Sequence, residues 1–362
     1  MRWKRLGLRI AVAIAVLLAG VVAVVRLTTF HPPPLQEERV FCSGNVPSLA
    51  PGQRLKILTW NVQFMAGKDH VFFFDLLDGS GPDERPSAAD VTRTLDEVAR
   101  VLRDEAPDIV LLQEVDDGAA RTDRKDQLAA LLERLPPGAF PCHASAFYWK
   151  AAYVPHPRIH GAVGMKLAVL SRYRIGSAVR HQLAVIPQDL VTRQFALKRA
   201  ILETRLPVAG GGTFAVLDTH LDAFAQGTDT MARQVREVDA TLMALSSKGV
   251  PWVIGGDFNL LPPGGAYQRL APAQRAYFNP ETEITLLFDH HQVVPTFAEV
   301  NGGERERWFT HFPNDPSVGH PDRTIDYLFF GGAVRVGDHH VRQWDARAIS
   351  DHFPLVAEVQ LP

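Results

Sequence analysis

The sequence Pro-Trp-Val-Ile-Gly-Gly-Asp-Phe-Asn at residues 251–259 places an acidic and an amide side chain directly after a short apolar run. We interpret the run as a buried strand, so that Asp257 and Asn259 lie at the rim of a sheet, where both can face one ligand. The triplet Ser350-Asp351-His352 repeats the pattern near the C-terminus. Four more apolar runs adjoin polar residues, namely Asn61, Gln113 with Glu114, Thr219 with His220, and Asp326.

Acidic groups that converge on one rim repel each other. Two unit charges 4 Å apart interact by about 4 kcal/mol at an effective dielectric constant of 20, so we expect a cation among these carboxylates. Oxygen ligands predominate and the chain has only 2 cysteines, Cys42 and Cys142. The predicted metal is therefore Mg²⁺ or Mn²⁺ rather than Zn²⁺.

The composition is that of a globular protein. With 362 residues, 46% hydrophobic and 22% charged, the chain can bury one large core or two modest ones. A formal net charge of -2 does not indicate the strongly basic surface of a nucleic-acid-binding protein. Residues 150–205 nevertheless hold ten Lys or Arg against Asp189 and Glu203. This basic region either faces an anionic substrate or forms a solvated surface.

The N-terminus has the pattern of a membrane segment. Residues 10–25 are uncharged, Arg26 follows them, and basic residues precede them: Arg2, Lys4, Arg5 and Arg9. As a helix this run spans roughly 24 Å, and arginines at both ends can extend to the two interfaces of a bilayer. We expect residues 1–27 to be an uncleaved anchor with its basic tip in the cytoplasm and the rest of the chain outside. A cleaved signal peptide, which would make the protein secreted, is the alternative.

The rest of the chain divides into a linker and one domain. Residues 28–54 are Pro-rich and patternless, which predicts a tether. Residues 55–362 are predicted to form a single catalytic domain. If this part of the chain lies in an oxidising compartment, Cys42 and Cys142 either pair or remain free thiols.

Alternating strands and helices are predicted within that domain. Ser87 and Asp90 resemble a capping box before a helix with an apolar face, and residues 231–245 repeat a helical period. Helices that follow some strands, with Gly/Pro turns after others, indicate mixed sheets with helices outside. The predicted strands are residues 55–60, 109–112, 163–170, 200–206, 214–217, 252–254, 325–330 and 355–359.

Six short motifs in fixed order resemble the motif set of the endonuclease/exonuclease/phosphatase superfamily, the deoxyribonuclease I-like proteins. The motifs are Thr-Trp-Asn-Val with Asn61, Leu-Gln-Glu-Val with Glu114, Asp-Thr-His-Leu with His220, Gly-Asp-Phe-Asn with Asp257 and Asn259, Ile-Asp-Tyr with Asp326, and Ser-Asp-His-Phe-Pro with Asp351 and His352. The resemblance implies an α/β four-layer sandwich, in which two packed mixed β-sheets are flanked by helices and the site lies at their rim. The N-terminal transmembrane or signal helix would precede it.

The resemblance also implies a metal site. Glu114 would be the main ligand, since Mg²⁺ takes one or two carboxylates and keeps waters and phosphate oxygens. Asn61 would lie beside it, as a ligand or as a donor to phosphate. Asp351 would be a second ligand or a support for the first.

Catalytic roles follow from the same resemblance. Asp326 would fix the imidazole of His352 and support its charged form, and such a positioned acid or base contributes about 10² to 10⁴-fold in rate. Asp257 would orient or deprotonate the attacking water, and Asn259 would donate to a phosphoryl oxygen. His220 would contact the phosphate as negative charge develops on it.

Other residues leave two interpretations open. Arg199 binds substrate phosphate or is an exposed cation at a strand end. Phe72, Phe73 and Phe74 either contact lipid near the site or pack in the core. The pairs His290-His291 and His339-His340 suggest extra metal, but neighbours in a strand point to opposite faces, which argues against a shared ion.

The predicted function is metal-dependent hydrolysis of a phosphodiester. The membrane segment and the Phe cluster favour a lipid head group, as in sphingomyelinase-like relatives, and the basic region leaves DNA or RNA as the alternative. A catalytically inactive, membrane-tethered binding domain is the hypothesis of another class. The expected partners are the phosphodiester and the membrane, and the sequence indicates no protein partner.

Overall fold

Two seven-stranded β-sheets pack face to face, with helices on their outer faces. The computed structural model describes residues 2–223 and 225–362. Its architecture is the predicted four-layer sandwich of two mixed sheets flanked by helices. The fold class inferred from the motifs is thus confirmed.

The eight predicted strands are all present, most of them longer than predicted. In chain order the strands are β1 Leu35–Glu38, β2 Val40–Cys42, β3 Arg54–Asn61, β4 Ile109–Asp116, β5 Cys142–Val154, β6 Gly161–Ser171, β7 Ser177–Gln182, β8 Ala200–Pro207, β9 Thr213–His220, β10 Trp252–Asp257, β11 Gln292–Val294, β12 Asp326–Gly331, β13 Arg335–Val341 and β14 Leu355–Gln360. The first sheet has the order β13-β14-β3-β4-β6-β5-β2, and the second has β1-β7-β8-β9-β10-β12-β11.

The helices are short except for three. They are α1 Arg2–Thr28, α2 Ala88–Glu105, α3 Gln127–Arg134, α4 Thr192–Phe195, α5 Thr230–Ser247, α6 Ala266–Arg269, α7 Pro272–Arg275, α8 Thr285–His290 and α9 Phe297–Asn301. The predicted capping box is present at the start of α2, where the Ser87 side chain accepts from the Asp90 backbone and the Asp90 side chain accepts from the Ser87 backbone. It satisfies backbone donors that would otherwise lack partners at the helix start.

The registers of the central strands bring the polar strand ends to one rim. β3 runs parallel to β4, and β9 runs parallel to β10, while β12 pairs antiparallel with β10. In this register Asp257 pairs with both His220 and Asp326. The end of β9, the end of β10 and the start of β12 therefore meet at one edge. Asn61 ends β3 in the facing sheet.

Apolar side chains from both sheets fill the space between them. Leu111 and Val169 of the first sheet and Val216 and Leu328 of the second belong to one buried cluster, which α2 covers on one side. The apolar face of α5 packs in a second cluster on the outside of the second sheet. The rigid layers hold the rim residues in place.

The N-terminal helix stands apart from the sheets. Within α1, an 18-residue window has a mean hydropathy of 2.8, so the helix is long and apolar enough to cross a membrane or to act as a signal sequence. After it, within residues 28–54, β1 pairs with β7 and β2 pairs with β5. Cys42 and Cys142 form a disulfide that ties β2 to β5.

Candidate active site

The nine residues predicted for the site come together at the rim. Seven line one cavity of about 710 Å³, namely Glu114, Arg199, His220, Asp257, Asn259, Asp351 and His352. Asn61 and Asp326 are buried behind them and contact residues of the cavity wall. Side chains from distant parts of the chain thus form one polar cluster.

The Asp257 carboxylate lies at the centre of this cluster. Its Oδ2 accepts from Asn61 Nδ2 at 3.0 Å, lies 3.2 Å from His220 Nε2, and lies 3.5 Å from His352 Nε2. Burial raises the pKa of Asp257 to about 7; the charge of His352 opposes the rise and that of Asp326 adds to it. Asp257 therefore changes its charge near neutral pH and can take up a proton there.

His352 forms a buried pair with Asp326. Its Nδ1 lies 2.9 Å from Asp326 Oδ2. Burial alone would lower the pKa of His352, but the carboxylates of Asp326 and Asp257 raise it to about 10. His352 is therefore a fixed imidazolium at neutral pH.

His220 has the opposite electrostatic character. Burial, with Arg199 and His352 nearby, lowers its pKa well below the ordinary value. Its Nδ1 lies 3.3 Å from the Tyr148 hydroxyl and 3.9 Å from Glu114 Oε1. Asp257 therefore has one charged and one neutral imidazole next to it.

Glu114 and Asp351 supply the carboxylates of the predicted metal site. Burial and the nearby charge of Asp351 raise the pKa of Glu114. Glu114 has a φ of 59° at a β-bulge in β4, a strained conformation that turns the residue out of the strand pattern. Two partly buried carboxylates that repel one another form an oxygen donor set that fits Mg²⁺ or Mn²⁺.

The Asn61 side chain donates a hydrogen bond to the Glu114 carboxylate. Its Nδ2 lies 3.2 Å from Glu114 Oε1, and its Oδ1 accepts from the Gln63 backbone at 3.0 Å. In this orientation the amide holds Glu114 and Asp257 in place. To bind a metal, Asn61 would have to present its oxygen instead.

Asn259 is fixed by the loop that follows β10. Its backbone N–H donates to Asp257 Oδ1 at 2.9 Å, and its Nδ2 donates to the Leu221 carbonyl at 3.1 Å. A primary amide has two N–H donors, so one remains for a ligand in the cavity.

Arg199, directly before β8, is buried and not exposed. Its Nε donates to Asp222 Oδ1 at 3.1 Å, and its guanidinium lies 5.2 Å from the centre of the Tyr148 ring. The residue lines the cavity next to His220. Its positive charge is therefore held close to the site by Asp222.

Several residues of the site were not predicted from the sequence. The His311 ring packs against His352 at a tilt of 59°, with ring centres 4.4 Å apart, and its Nε2 lies 3.8 Å from Asp351. Burial and the charge of His352 lower the pKa of His311 to about 3. Asn314 donates to Asp75 Oδ2 at 3.0 Å and lies 3.5 Å from Asp351.

Asp75 adds another carboxyl group to the cavity wall. Burial and the charge of Asp351 raise its pKa to about 7. Asp75, His311 and Asn314 lie in loops between regular elements, and local periodicity carries no signal for them. The one sequence feature near Asp75 was the preceding Phe cluster.

That Phe cluster both packs in the interior and lines the cavity. Phe72 is fully buried and stacks on Phe74 with ring centres 5.4 Å apart. Phe73 and Phe74 line the cavity, together with Trp149 and Ile159. One wall of the site is therefore apolar.

The pattern of buried carboxylates and imidazoles on two packed sheets has its counterpart in a known family. The model of the Endonuclease/Exonuclease/phosphatase family matches residues 58–352. The chain belongs to this family, whose members hydrolyse phosphoester bonds, typically with divalent metals.

Several solved structures share the fold. An endonuclease/exonuclease/phosphatase from Beutenbergia cavernae DSM 12333 is 25% identical, with a TM-score of 0.58 over 85% of this chain and 72% of that one. The human Nocturnin catalytic domain with bound sulfate is 16% identical, with a TM-score of 0.52 over 89% and 96%. D. rerio TDP2 complexed with single-strand DNA product is 14% identical, with a TM-score of 0.50 over 85% and 99%. No curated protein matches the chain.

Proposed function

We propose that the protein is a divalent-metal-dependent phosphodiesterase that acts outside the cytoplasm on a lipid phosphodiester. The observation that carries the activity is the convergence of His220, His352 and Asn61 on the single carboxylate of Asp257. Glu114 and Asp351 lie beside this group and supply the oxygen donors for the metal. The membrane segment and the walls of the cavity support the lipid substrate.

The residues of the site have complementary roles in this reaction. Mg²⁺ or Mn²⁺, when bound, neutralises charge on the phosphoryl oxygens and positions the reacting groups. Asp257, with a pKa of about 7, takes a proton from the attacking water. The charged His352, the neutral His220 and the free N–H of Asn259 stabilise the oxygens of the transition state.

The end of α1 is attached next to the cavity wall. Thr29, directly after the helix, forms a β-bridge with Ala151 of β5. The Phe30 ring lies 5.3 Å from the guanidinium of Arg180, which donates to the Lys198 carbonyl. Lys198 belongs to the segment between β7 and β8, so this segment lies close to the base of the membrane helix.

The segment between β7 and β8 extends from the end of α1 to the cavity. Leu190 and Val191 are 70% and 69% exposed, although both are large apolar residues. Ile186 and Leu197, on either side of them in sequence, line the cavity. An apolar tip beside the membrane anchor is suited to insert among lipids and to bring a head group to the site.

The arginines of the cavity favour lipid over nucleic acid. Arg85, Arg121 and Arg158 line the cavity, but each pairs with a carboxylate, at 2.6, 2.9 and 2.7 Å respectively. Paired arginines give a weak net field, whereas nucleic-acid sites depend on unpaired cations that bind successive phosphates. Hydrolysis of DNA or RNA is the alternative, supported by the ten basic residues of residues 150–205.

The activity is tested with the full chain in detergent. We expect it to hydrolyse bis-p-nitrophenyl phosphate with Mg²⁺, and to lose this activity with EDTA or with His352→Ala at unchanged folding. His340→Ala is the matched control, because this imidazole lies on β13, outside the cavity, and pairs with a single carboxylate, that of Glu105 in α2. A wild-type protein that binds Mg²⁺ without hydrolysis would support the inactive binding domain instead.

The substrate class is tested with a panel of candidate substrates. The full chain is assayed with sphingomyelin, other phospholipids in mixed micelles, single-stranded and duplex DNA, and RNA. We expect turnover of at least one phospholipid to exceed that of every nucleic acid. Turnover of DNA or RNA without any lipid would reverse the assignment while leaving the phosphodiesterase activity in place.

A further inference from the structure

A second cluster of ligand-type side chains lies far from the active site. It consists of Asp239 of α5, His290 at the end of α8 and His291 directly after it. The His291 ring packs edge-on against Trp252 at a centre distance of 5.0 Å. Trp252 begins β10 and Asp257 ends it, which separates the two clusters by roughly 17 Å along the strand at about 3.3 Å per residue.

The two imidazoles converge on one oxygen atom. Asp239 Oδ1 lies 3.0 Å from His290 Nδ1 and 2.8 Å from His291 Nε2. The three ligand atoms all lie within 4.8 Å of one another. From this geometry we infer that Asp239, His290 and His291 form a Zn²⁺ site that links α8 to α5.

His290 and His291 do not lie in a strand, so the expected placement of their rings on opposite faces is wrong. His290 is the last helical residue of α8, whereas His291 is extended with φ -133° and ψ 151°. This change of backbone conformation turns both rings toward α5. His339 and His340 do lie in a strand, β13, and they contact different carboxylates, Glu299 and Glu105.

The donor set and its spacing fit zinc. Two imidazole nitrogens and a carboxylate oxygen are ligands that Zn²⁺ binds at about 2.0–2.2 Å, and in a tetrahedral site such atoms lie roughly 3.3 Å apart. The observed separations of 3.0 and 2.8 Å need only small rotations to open to that value. The mixed N and O ligands differ from the oxygen ligands of the catalytic site, which suit Mg²⁺.

The surroundings of the cluster suit a site with one open position. The His291 side chain is 4% exposed and that of Asp239 is 14% exposed, while His290 is 43% exposed. Burial lowers the pKa of His291, although Asp239 opposes the shift, so the ring is neutral and able to bind a metal. Water can reach the cluster past His290 and complete the coordination.

The site would act on the edge of the second sheet. α8 leads directly into β11, the edge strand that pairs with β12. A zinc ion held between α5 and α8 would therefore fix this edge against the helix layer. Binding to the folded state alone raises thermal stability in proportion to the logarithm of the zinc concentration.

The test uses the full chain in detergent, stripped of metal, in a Glu114→Gln/Asp351→Asn background that disables the catalytic metal site. Zn²⁺ is titrated against a chromophoric chelator. We expect one Zn²⁺ per chain in this background, a loss of affinity of at least 100-fold with His290→Ala, and no change with the control His340→Ala. Equal zinc affinity with and without His290→Ala would overturn the proposal.

Two further measurements separate binding from folding. Co²⁺ in place of Zn²⁺ should give visible absorption bands of a tetrahedral site, and His290→Ala should abolish them. Asp239→Asn, which keeps the size of the side chain, should fold normally and lose the rise in Tm that Zn²⁺ causes in the background protein. Retention of that rise in Asp239→Asn would place the zinc elsewhere.

Discussion

Asp326 Oδ2 lies 2.9 Å from His352 Nδ1, while Nε2 of the same imidazole lies 3.5 Å from Asp257. The ring is thus held between two carboxylates, and its pKa rises to about 10 even though burial opposes the charge. The site therefore places an imidazolium directly next to the Asp257 carboxylate.

Replacement of Asp326 by Asn tests this relationship. The amide keeps the shape of the side chain but removes a charge, so we expect the pKa of His352 to fall and kcat to drop by roughly 10² to 10⁴-fold. The alkaline limb of the pH–rate profile should move to lower pH, because His352 then loses its proton earlier. An unshifted limb, with the same loss of rate, would show that Asp326 has only a structural role.

The carboxyl group of Asp75 should reduce the stability of the metal-free protein. Burial raises its folded-state pKa from 3.8 to about 7, so the folded state binds more protons than the unfolded state between these values. The contribution of Asp75 to the free energy of unfolding therefore falls as the pH rises from about 4 to 7. Asp75→Asn should raise the Tm in EDTA at pH 8. The corresponding gain in the free energy of unfolding is on the order of 1 kcal/mol.

The pH dependence provides the control for that experiment. At pH 4 the carboxyl of Asp75 is protonated in the folded state, so the substitution should change the Tm little. Thermal unfolding followed by circular dichroism at both pH values measures the difference. An equal gain at both pH values would point to packing rather than to charge.

How much of this site the sequence predicts depends on where each residue lies. Asn61, His220 and Asp257 end apolar strands. The end of an apolar strand can be recognised from the local sequence before the fold is known. Asp75 and His311 come from loops, whose path depends on tertiary packing. No local pattern marks such residues.

The fold shows the same division. Strands with a continuous apolar run, such as β6, were predicted, because they are buried on both faces. β5 was missed, since its burial alternates and its sequence mixes small and polar residues with aromatic ones. β13 was missed because it is largely exposed, carries two histidines and a bulge, and contains no apolar run.

The exposed Leu190 and Val191 should contribute to lipid turnover alone. The double substitution Leu190→Ser/Val191→Ser removes apolar groups that would enter the membrane, where burial of each is worth about 1.5 kcal/mol. We expect turnover of phospholipid in vesicles to fall about tenfold or more, with unchanged hydrolysis of bis-p-nitrophenyl phosphate.

A matched substitution controls for general effects on the surface. Met243 is a 50% exposed apolar residue on α5, at the outer face of the second sheet. Met243→Ser should leave the turnover of both substrates unchanged. If the Leu190→Ser/Val191→Ser protein cleaves vesicle lipid at the wild-type rate, this tip does not serve the reaction.

The ion pairs of Asp345 connect the C-terminal part of the chain to α2. Arg342 donates to both of its oxygens, at 2.8 and 2.7 Å, and Arg100 Nη1 donates at 2.8 Å. The hydrogen bonds from Arg342 hold the pKa of Asp345 well below its usual range, despite some burial. Because the folded-state pKa is depressed, the stabilisation is present above about pH 4 and is lost as the pH falls below it.

Asp345→Asn should therefore lower the free energy of unfolding by about 1–2 kcal/mol at pH 7, and by less as the pH falls below 4. The exposed pair of Arg134 and Asp96, at 2.7 Å, is the comparison, because Asp96 is 61% exposed. Asp96→Asn should cost less than about 0.5 kcal/mol, since water and salt screen such pairs. Thermal melts of both variants across pH measure the two costs, and equal losses for the two would refute a special role for Asp345.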